Sequence, residues 1–403
     1  MITLKEIQDA ADTTLGFVHE TPLIHSHSLS AMTGAEVHIK AENLQKTGSF
    51  KVRGAFNKLS SLRGGMVIAA SMGNHAQGVA YAASRLKMQA RIVMPLNAPI
   101  VKQEATKGYG ADIELYGETF LEALEYALSQ KNYTFIHAFD DEKVIAGQGT
   151  IGLEILKDLA DADVILVPVG GGGLISGIAV AVKSLSPRTE VVGVQTTSAI
   201  SAYTSFCKGA IEECMPCCTL ADGIAVGKVG CVTFEIMKQH VDDMITVHED
   251  SIAMAILLFM ERKKVVVEGA GAVPLAALIE NAERFKGKNV VLVVSGGNID
   301  FTLIDRIIHK GLAKSGRIGV FEVTVDDIPG KLHILTGIVA RHRGNILAID
   351  HDRLSADLSV SETRVIFTVE VRGSGHLKMI TDDMKKKGFE VREAHEKRKV
   401  PSG

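Results

Sequence analysis

A chain of 403 residues that is 46% hydrophobic and 23% charged has the composition of a soluble globular protein with room for two domains. Its net charge of −3 supplies no basic face for nucleic acid. No stretch approaches the roughly 20 apolar residues that span a bilayer, and the opening Met-Ile-Thr-Leu-Lys-Glu lacks a signal-peptide pattern, so the chain reads as cytoplasmic.

From about Gly65 short apolar runs alternate with amphipathic stretches. Strands are predicted at Met66–Ala70, Arg91–Met94, Ala111–Tyr116, Thr134–Phe139, Val164–Val169, Glu190–Val194 and Val290–Val294. Helices are predicted at His75–Arg85, Ile100–Tyr109, Phe120–Ser129, Val144–Leu159, Leu174–Leu185 and Ala253–Phe259. Strands rich in Val, Ile and Leu that alternate with helices imply an α/β fold, with a parallel sheet covered on both faces. Ligands of such sheets sit beyond the carboxyl ends of the strands.

Near Ser315-Gly316-Arg317 the pattern changes. Ile318–Val325 alternates as a strand, Asp326–Gly330 is a turn and Leu332–His342 a helix. Asn345–His351 and Thr363–Val371 follow as strands, then the helix His376–Lys387, the C-cap Gly388 and the strand Phe389–Glu393. The β-α-β-β-α-β order is that of a ferredoxin-like split unit. The run Met384-Lys385-Lys386-Lys387 reads as the solvated end of its helix, where Lys suits the macrodipole.

Three strand-end loops are rich in Gly, Ser and Asn: Ser71-Met72-Gly73-Asn74-His75, Gly170-Gly171-Gly172-Gly173-Leu174 and Ser295-Gly296-Gly297-Asn298. The four glycines follow a strand and open a helix. Their N–H groups can approach an anion closely, and the helix dipole favours it. A dinucleotide fingerprint fails there, because the position of its third glycine falls on Ile175 or Ser176. Lys51 lies among Gly48, Ser49, Phe50 and Val52; an amine among apolar groups loses proton affinity and becomes a nucleophile. Phe50 reads as core packing or as a cofactor contact. Ser71 reads either as a helix N-cap or as part of a carboxylate-binding loop. Asn74 offers an amide to a phenolate oxygen, and Ser295 a neutral hydroxyl to a pyridine nitrogen. His75 reads as a hydrogen-bonded turn residue rather than a base. An amine, a phosphate cradle and polar groups for an aromatic ring together point to pyridoxal phosphate chemistry.

The motifs Glu42–Lys51, Gly73-Asn74-His75-Ala76-Gln77-Gly78, Gly147-Gln148-Gly149-Thr150, Gly170–Gly173, Glu268-Gly269-Ala270-Gly271 and Ser295–Asn298 occur in an order that resembles the threonine dehydratase (threonine ammonia-lyase) family of pyridoxal phosphate enzymes. The resemblance covers residues 1–312 and implies a two-lobed, tryptophan synthase β-subunit-like catalytic domain over residues 1–315. Residues 318–403 resemble an ACT domain, a regulatory module that binds a small amino-acid effector. The family pattern implies that Lys51 holds pyridoxal 5'-phosphate as an imine and removes the substrate α-proton. It places Phe50 and Asn74 against the cofactor, Gly170, Gly171, Gly172, Gly173 and Leu174 on its phosphate and Ser295 on its ring nitrogen. Ser71, Gly73 and Asn74 lie where the family binds substrate carboxylate. The implied reaction turns L-threonine into 2-oxobutanoate and ammonia, and L-serine into pyruvate, in a homo-oligomeric enzyme, a dimer or tetramer.

Two departures narrow the reading. Serine racemases of this fold carry a serine where this chain has Met72, and methionine cannot carry a proton. Their divalent-cation carboxylates correspond to Gln195 and Ser201, so no metal is expected. Cys207, Cys214, Cys217, Cys218 and Cys231 read as free thiols, with a local metal or oxidation site as the alternative. A serine racemase or dehydratase and a non-catalytic amino-acid sensor remain as alternative functions.

Overall fold

The structure, a computed structural model, describes residues 2–393. They form two compact units that divide between Asp300 and Phe301. The helix Phe301–Lys314 therefore belongs with the second unit, ahead of the expected start at Ile318.

The first unit contains two sheets. The larger has six strands in the order Leu23–His25, Glu36–Ala41, Asn289–Val294, Val164–Pro168, Glu190–Thr196 and Asp243–Val247. All its pairings are parallel except the first. Val164–Pro168 lies at its centre and every residue is buried, which explains the uninterrupted apolar run. The smaller sheet is parallel, in the order Asp112–Leu115, Gln89–Met94, Met66–Ala70 and Thr134–Phe135. Each sheet carries its own apolar core.

The helices Lys51–Ser60, Glu142–Asp158 and Gly173–Leu185 join the lobes. They pack backbone to backbone along glycines. A Cβ on Gly147 would stand 2.6 Å from the Cα of Gly54, and one on Gly177 2.4 Å from the carbonyl oxygen of Ile145. Side chains cannot fit there, so this seam sets the depth of the helix that starts at Lys51.

One expected element is shorter. The strand predicted over Thr134–Phe139 ends at Phe135, although Ile136 still donates its N–H to Ile68. The residues after it turn away towards the larger lobe. A helix predicted to end at Phe259 continues as a π-helical turn, Phe259–Lys263.

The second unit has an antiparallel sheet in the order Asn345–Asp352, Glu362–Glu370, Ile318–Asp326 and Glu390–Glu393. The helices Lys331–Arg341 and Ser374–Lys386 complete the β-α-β-β-α-β order. A separate core of Phe321, Val323, Leu335, Ile338, Phe367 and Ile380 fills it.

Candidate active site

Lys51 is the first residue of its helix and Phe50 the N-cap. The approach to it is stitched to the loop after Asn289–Val294. Phe50 donates its N–H to the Ser295 carbonyl at 3.1 Å, and Gly297 donates to Gly48 at 2.9 Å. The Lys51 ammonium lies 5.2 Å from the centre of the Phe50 ring and donates to the Ala138 carbonyl at 2.9 Å. Burial lowers its pKa to about 8 against the opposing pull of Glu268, so a substantial share of the amine is neutral near physiological pH.

The Lys51 helix is fixed from below by a cluster of buried charges. Arg53 donates through Nε and Nη2 to both oxygens of Glu42 at 2.8 Å. It also meets Glu154, at 2.5 and 2.8 Å, and Thr150 at 3.0 Å. Lys40 reaches Glu154 at 2.6 Å. Burial alone would raise the Glu42 carboxyl, but Arg53 outweighs it and holds Glu42 below its ordinary value. With two cations facing two anions, removing one member leaves an unpaired buried charge.

Ser71 is not the N-cap of the helix that follows it. Gly73 is the N-cap of Asn74–Arg85, and the Ser71 hydroxyl accepts the Gly73 N–H at 3.1 Å. Asn74 is held at both ends of its amide. It donates to the two oxygens of Glu268 at 2.8 and 3.0 Å and accepts from Asn298 at 2.8 Å. Burial pushes the Glu268 carboxyl up to about 7, even though the Asn74 hydrogen bond pulls it down. A Cβ on Gly296 would stand 2.4 Å from that carboxyl, which explains the glycine after Ser295. His75 is buried and bonded through Nε2 to the Ile136 carbonyl at 2.9 Å. Burial and the Lys51 charge bring its pKa to about 3, so it stays neutral and structural.

Gly172 is the N-cap of Gly173–Leu185, with φ at +94°, and no side chain caps that helix. No protein acceptor takes the N–H groups of Gly170 through Ile175 among the described residues. The carbonyl of Gly171 is held by the Thr233 hydroxyl at 2.7 Å. Phe139 leaves no room above the loop: a Cβ on Gly171 would meet its ring at 2.4 Å. Leu174 is buried in the first turn. A helix end with free N–H groups and glycine walls fits a phosphate. Ser295 is 2% exposed just beyond the strand Asn289–Val294, which places a neutral hydroxyl, both donor and acceptor, at the strand end.

Met72 packs on the apolar core of the smaller sheet. Gln195 spends its amide on the Val169 carbonyl and the Tyr203 N–H, and Ser201 donates to Val226. Among the described residues no group of three His, Cys, Asp or Glu side chains is arranged for a metal ion. The five cysteines are free thiols, four of them exposed.

Sequence reasoning assigned no role to Glu268, although its motif was apparent, nor to Asn298 or residues 137–140. The Ala138 carbonyl has no signature in any sequence, since every residue carries one.

A family profile described as "Pyridoxal-phosphate dependent enzyme" matches residues 14–296. An L-threonine ammonia-lyase of Thermotoga maritima is 49% identical over 399 residues, covering 97% of this chain and 99% of that protein. A processed threonine deaminase isoform from Solanum lycopersicum superposes with a TM-score of 0.73 at 39% identity, covering 76% of this chain and 86% of that one. Maize serine racemase gives a TM-score of 0.72 at 33% identity, covering 77% and 98%. With a buried-site lysine, an uncapped glycine loop and a match across most of its first unit, this chain belongs to the family of pyridoxal-phosphate dependent enzymes.

Proposed function

We propose that the chain is a threonine ammonia-lyase that dehydrates and deaminates L-threonine to 2-oxobutanoate and ammonia, and acts on L-serine to give pyruvate. One observation carries the reading. The Lys51 amine, with a pKa near 8, is tied to the Ala138 carbonyl, and the next residue packs on the Gly171 loop. The relatives named above support the same substrate class.

Pyridoxal 5'-phosphate, when bound, supplies an electron sink for charge developing at the substrate α-carbon. Gly170, Gly171, Gly172, Gly173 and Leu174 are the groups suited to its phosphate, Asn74 to its ring oxygen and Ser295 to its ring nitrogen, with Phe50 beside the ring. Lys51 Nζ is the amine that would hold the cofactor and that, when free and neutral, would accept the α-proton. We assign Ser71, Gly73 and Asn74 to the substrate carboxylate; the Ser71 hydroxyl, which accepts the Gly73 N–H, keeps its own proton to donate. A Cβ on Gly73 would meet nothing within 4 Å, so that face is open to a ligand.

The racemase alternative is weakened by Met72, whose thioether has no proton to give and which leans on the core of the smaller sheet. We assign residues 318–403, within the second unit, as an ACT-like regulatory module; residues 394–403 of that range lie outside the described residues. A cavity of about 310 Å³ lies beside Asp327, Gly330, Lys331, His351 and Arg353, and Gly330, at φ +94°, caps the helix there. This is consistent with a small amino-acid effector. We also assign a cytoplasmic homo-oligomer, a dimer or tetramer; among the described residues no helix is long and apolar enough to cross a membrane.

Oxoacid and ammonia release from L-threonine and L-serine, with chiral analysis of residual serine, tests the reading. Cofactor-loaded protein that releases neither product, or that yields mainly D-serine, overturns it.

A further inference from the structure

Residues 137–140 form a short turn that touches both Lys51 and the glycine loop. The Ala138 carbonyl accepts from Lys51 at 2.9 Å. Phe139 is pressed on the glycine loop, where a Cβ on Gly171 or Gly173 would stand 2.4 or 2.9 Å from it. Asp140 accepts from the N–H groups of Cys231, Val232 and Thr233 at 3.0, 2.9 and 3.1 Å, so it caps the helix Cys231–His240. Thr233 in turn holds the Gly171 carbonyl. The turn has no ladder to hold it, because its strand ended at Phe135.

His137 supplies the missing restraint. Its Nδ1 accepts two backbone N–H groups, from Phe139 at 3.2 Å and Asp140 at 2.8 Å. The ring stands edge-on to Phe139, with centroids 4.7 Å apart. An imidazole nitrogen that accepts hydrogen bonds carries no proton, so the ring is neutral with its proton on Nε2. Protonation turns Nδ1 into a donor facing two donors, and both bonds are lost.

We propose that His137 is a positioning residue whose neutral ring locks the 137–140 turn, and that protonating it loosens both the Lys51 contact and the glycine cradle. The proposal rests on the reading that this cradle holds the cofactor phosphate. The groups that face the ring are Lys51 and His75 from two neighbouring helices, and Asp140 and Asp141 from its own turn. Burial lowers the His137 pKa and Lys51 lowers it further, against the two aspartates. The folded ring therefore gains its proton only below the ordinary imidazole value of about 6.5; the turn is intact at and above that value and loosens as pH falls through the lowered one.

Asparagine separates this role from mere packing. An Asn side-chain oxygen accepts N–H groups two and three residues on, as His137 does, yet it cannot be protonated. Cofactor affinity is measured by titrating apoprotein with pyridoxal 5'-phosphate and following the visible absorbance between pH 5 and 8, in wild type, His137→Asn and His137→Leu. At pH 8 His137→Asn binds like wild type, and His137→Leu binds about tenfold more weakly, the loss of two modest hydrogen bonds. Towards the acid end of that range the wild type weakens towards His137→Leu, while His137→Asn retains its advantage. Changes in the cofactor's own phosphate charge are common to all three. Wild type and His137→Asn alone decide the matter if His137→Leu does not fold. Identical pH profiles for those two overturn the proposal. Absence of any cofactor band in wild type at pH 8 instead overturns the underlying reading of the cradle.

Discussion

The side-chain amide of Asn74 donates to both carboxylate oxygens of Glu268, at 2.8 and 3.0 Å, while its own oxygen accepts from Asn298 at 2.8 Å. The amide is thus oriented by two loops that lie far away in sequence. Glu268 bears the cost of that role, because its carboxyl is 5% exposed and burial raises its pKa from 4.5 to about 7.

A carboxyl raised in the fold gives stability that is complete below its unfolded value and declines as pH rises through its folded value. For Glu268 that window runs from 4.5 to about 7. At about 1.4 kcal/mol per pH unit, the loss is on the order of 3 kcal/mol. Glu268→Gln removes this slope. Urea unfolding of the apoprotein across pH 4.5 to 8 measures it. A wild-type slope equal to that of Glu268→Gln would show that the carboxylate is well solvated.

Lys51→Ala removes the amine without disturbing the Arg53 cluster, two residues on in the same helix. Ammonia release from threonine falls by at least about a thousandfold, the scale of losing a positioned proton acceptor, and the visible imine band disappears. Thermal unfolding stays within a few degrees of wild type. In the wild-type apoprotein, cofactor uptake accelerates as pH rises through about 8, where the buried amine loses its proton. Uptake that is flat with pH would mean that the neutral amine is not limiting.

Gly171→Ala tests the glycine loop by shape alone. Its methyl would enter the Phe139 ring at 2.4 Å, so either the ring or the loop must move. Overpacking of this kind costs about 1–3 kcal/mol. Because Phe139 adjoins Ala138, the displacement reaches Lys51, and both cofactor affinity and turnover fall. Unchanged affinity with lowered stability alone would separate Phe139 from the cradle.

The parts of the fold that were legible had local causes. Met66–Ala70 and Phe120–Ser129 match their predicted limits, because an apolar run bounded by polar turns, and a capping box at Thr119, act over a few residues. The strand Glu36–Ala41 was not assigned. It contains Lys40, fully buried here, which the distant Glu154 and the Thr21 carbonyl make tolerable. Phe135, Ile136 and Phe139 suggested a longer strand. The turn prevails because His137 takes the N–H groups of Phe139 and Asp140. At the site, the lysine, glycines, Asn74 and Ser295 were visible as residue types in strand-end loops. Glu268 was not, since its raised pKa arises from burial and the amide it orients, that of Asn74, lies 194 residues away in the chain.

Cutting the chain after Asp300 tests the regulatory assignment of the second unit. That unit has its own buried core, with Phe321 and Phe367 stacked at 5.2 Å. The first unit keeps both of its sheets and cores without it. The site residues Phe50, Lys51, Ser71, Gly73, Asn74, Gly170, Gly171, Gly172, Gly173, Leu174 and Ser295 all precede the cut. The shortened protein therefore deaminates threonine at a rate within severalfold of the full chain. Isoleucine and valine, used as small amino-acid probes, change the rate of the full chain and leave the shortened one unaffected. In the full chain, Asp327→Ala frees the Arg353 guanidinium from a 2.7 Å contact beside the Gly330 cavity, and the effector concentration needed for half-response shifts while the basal rate does not. A shortened, well-folded protein whose rate responds to the same amino acids as the full chain would locate the effector site in residues 1–300.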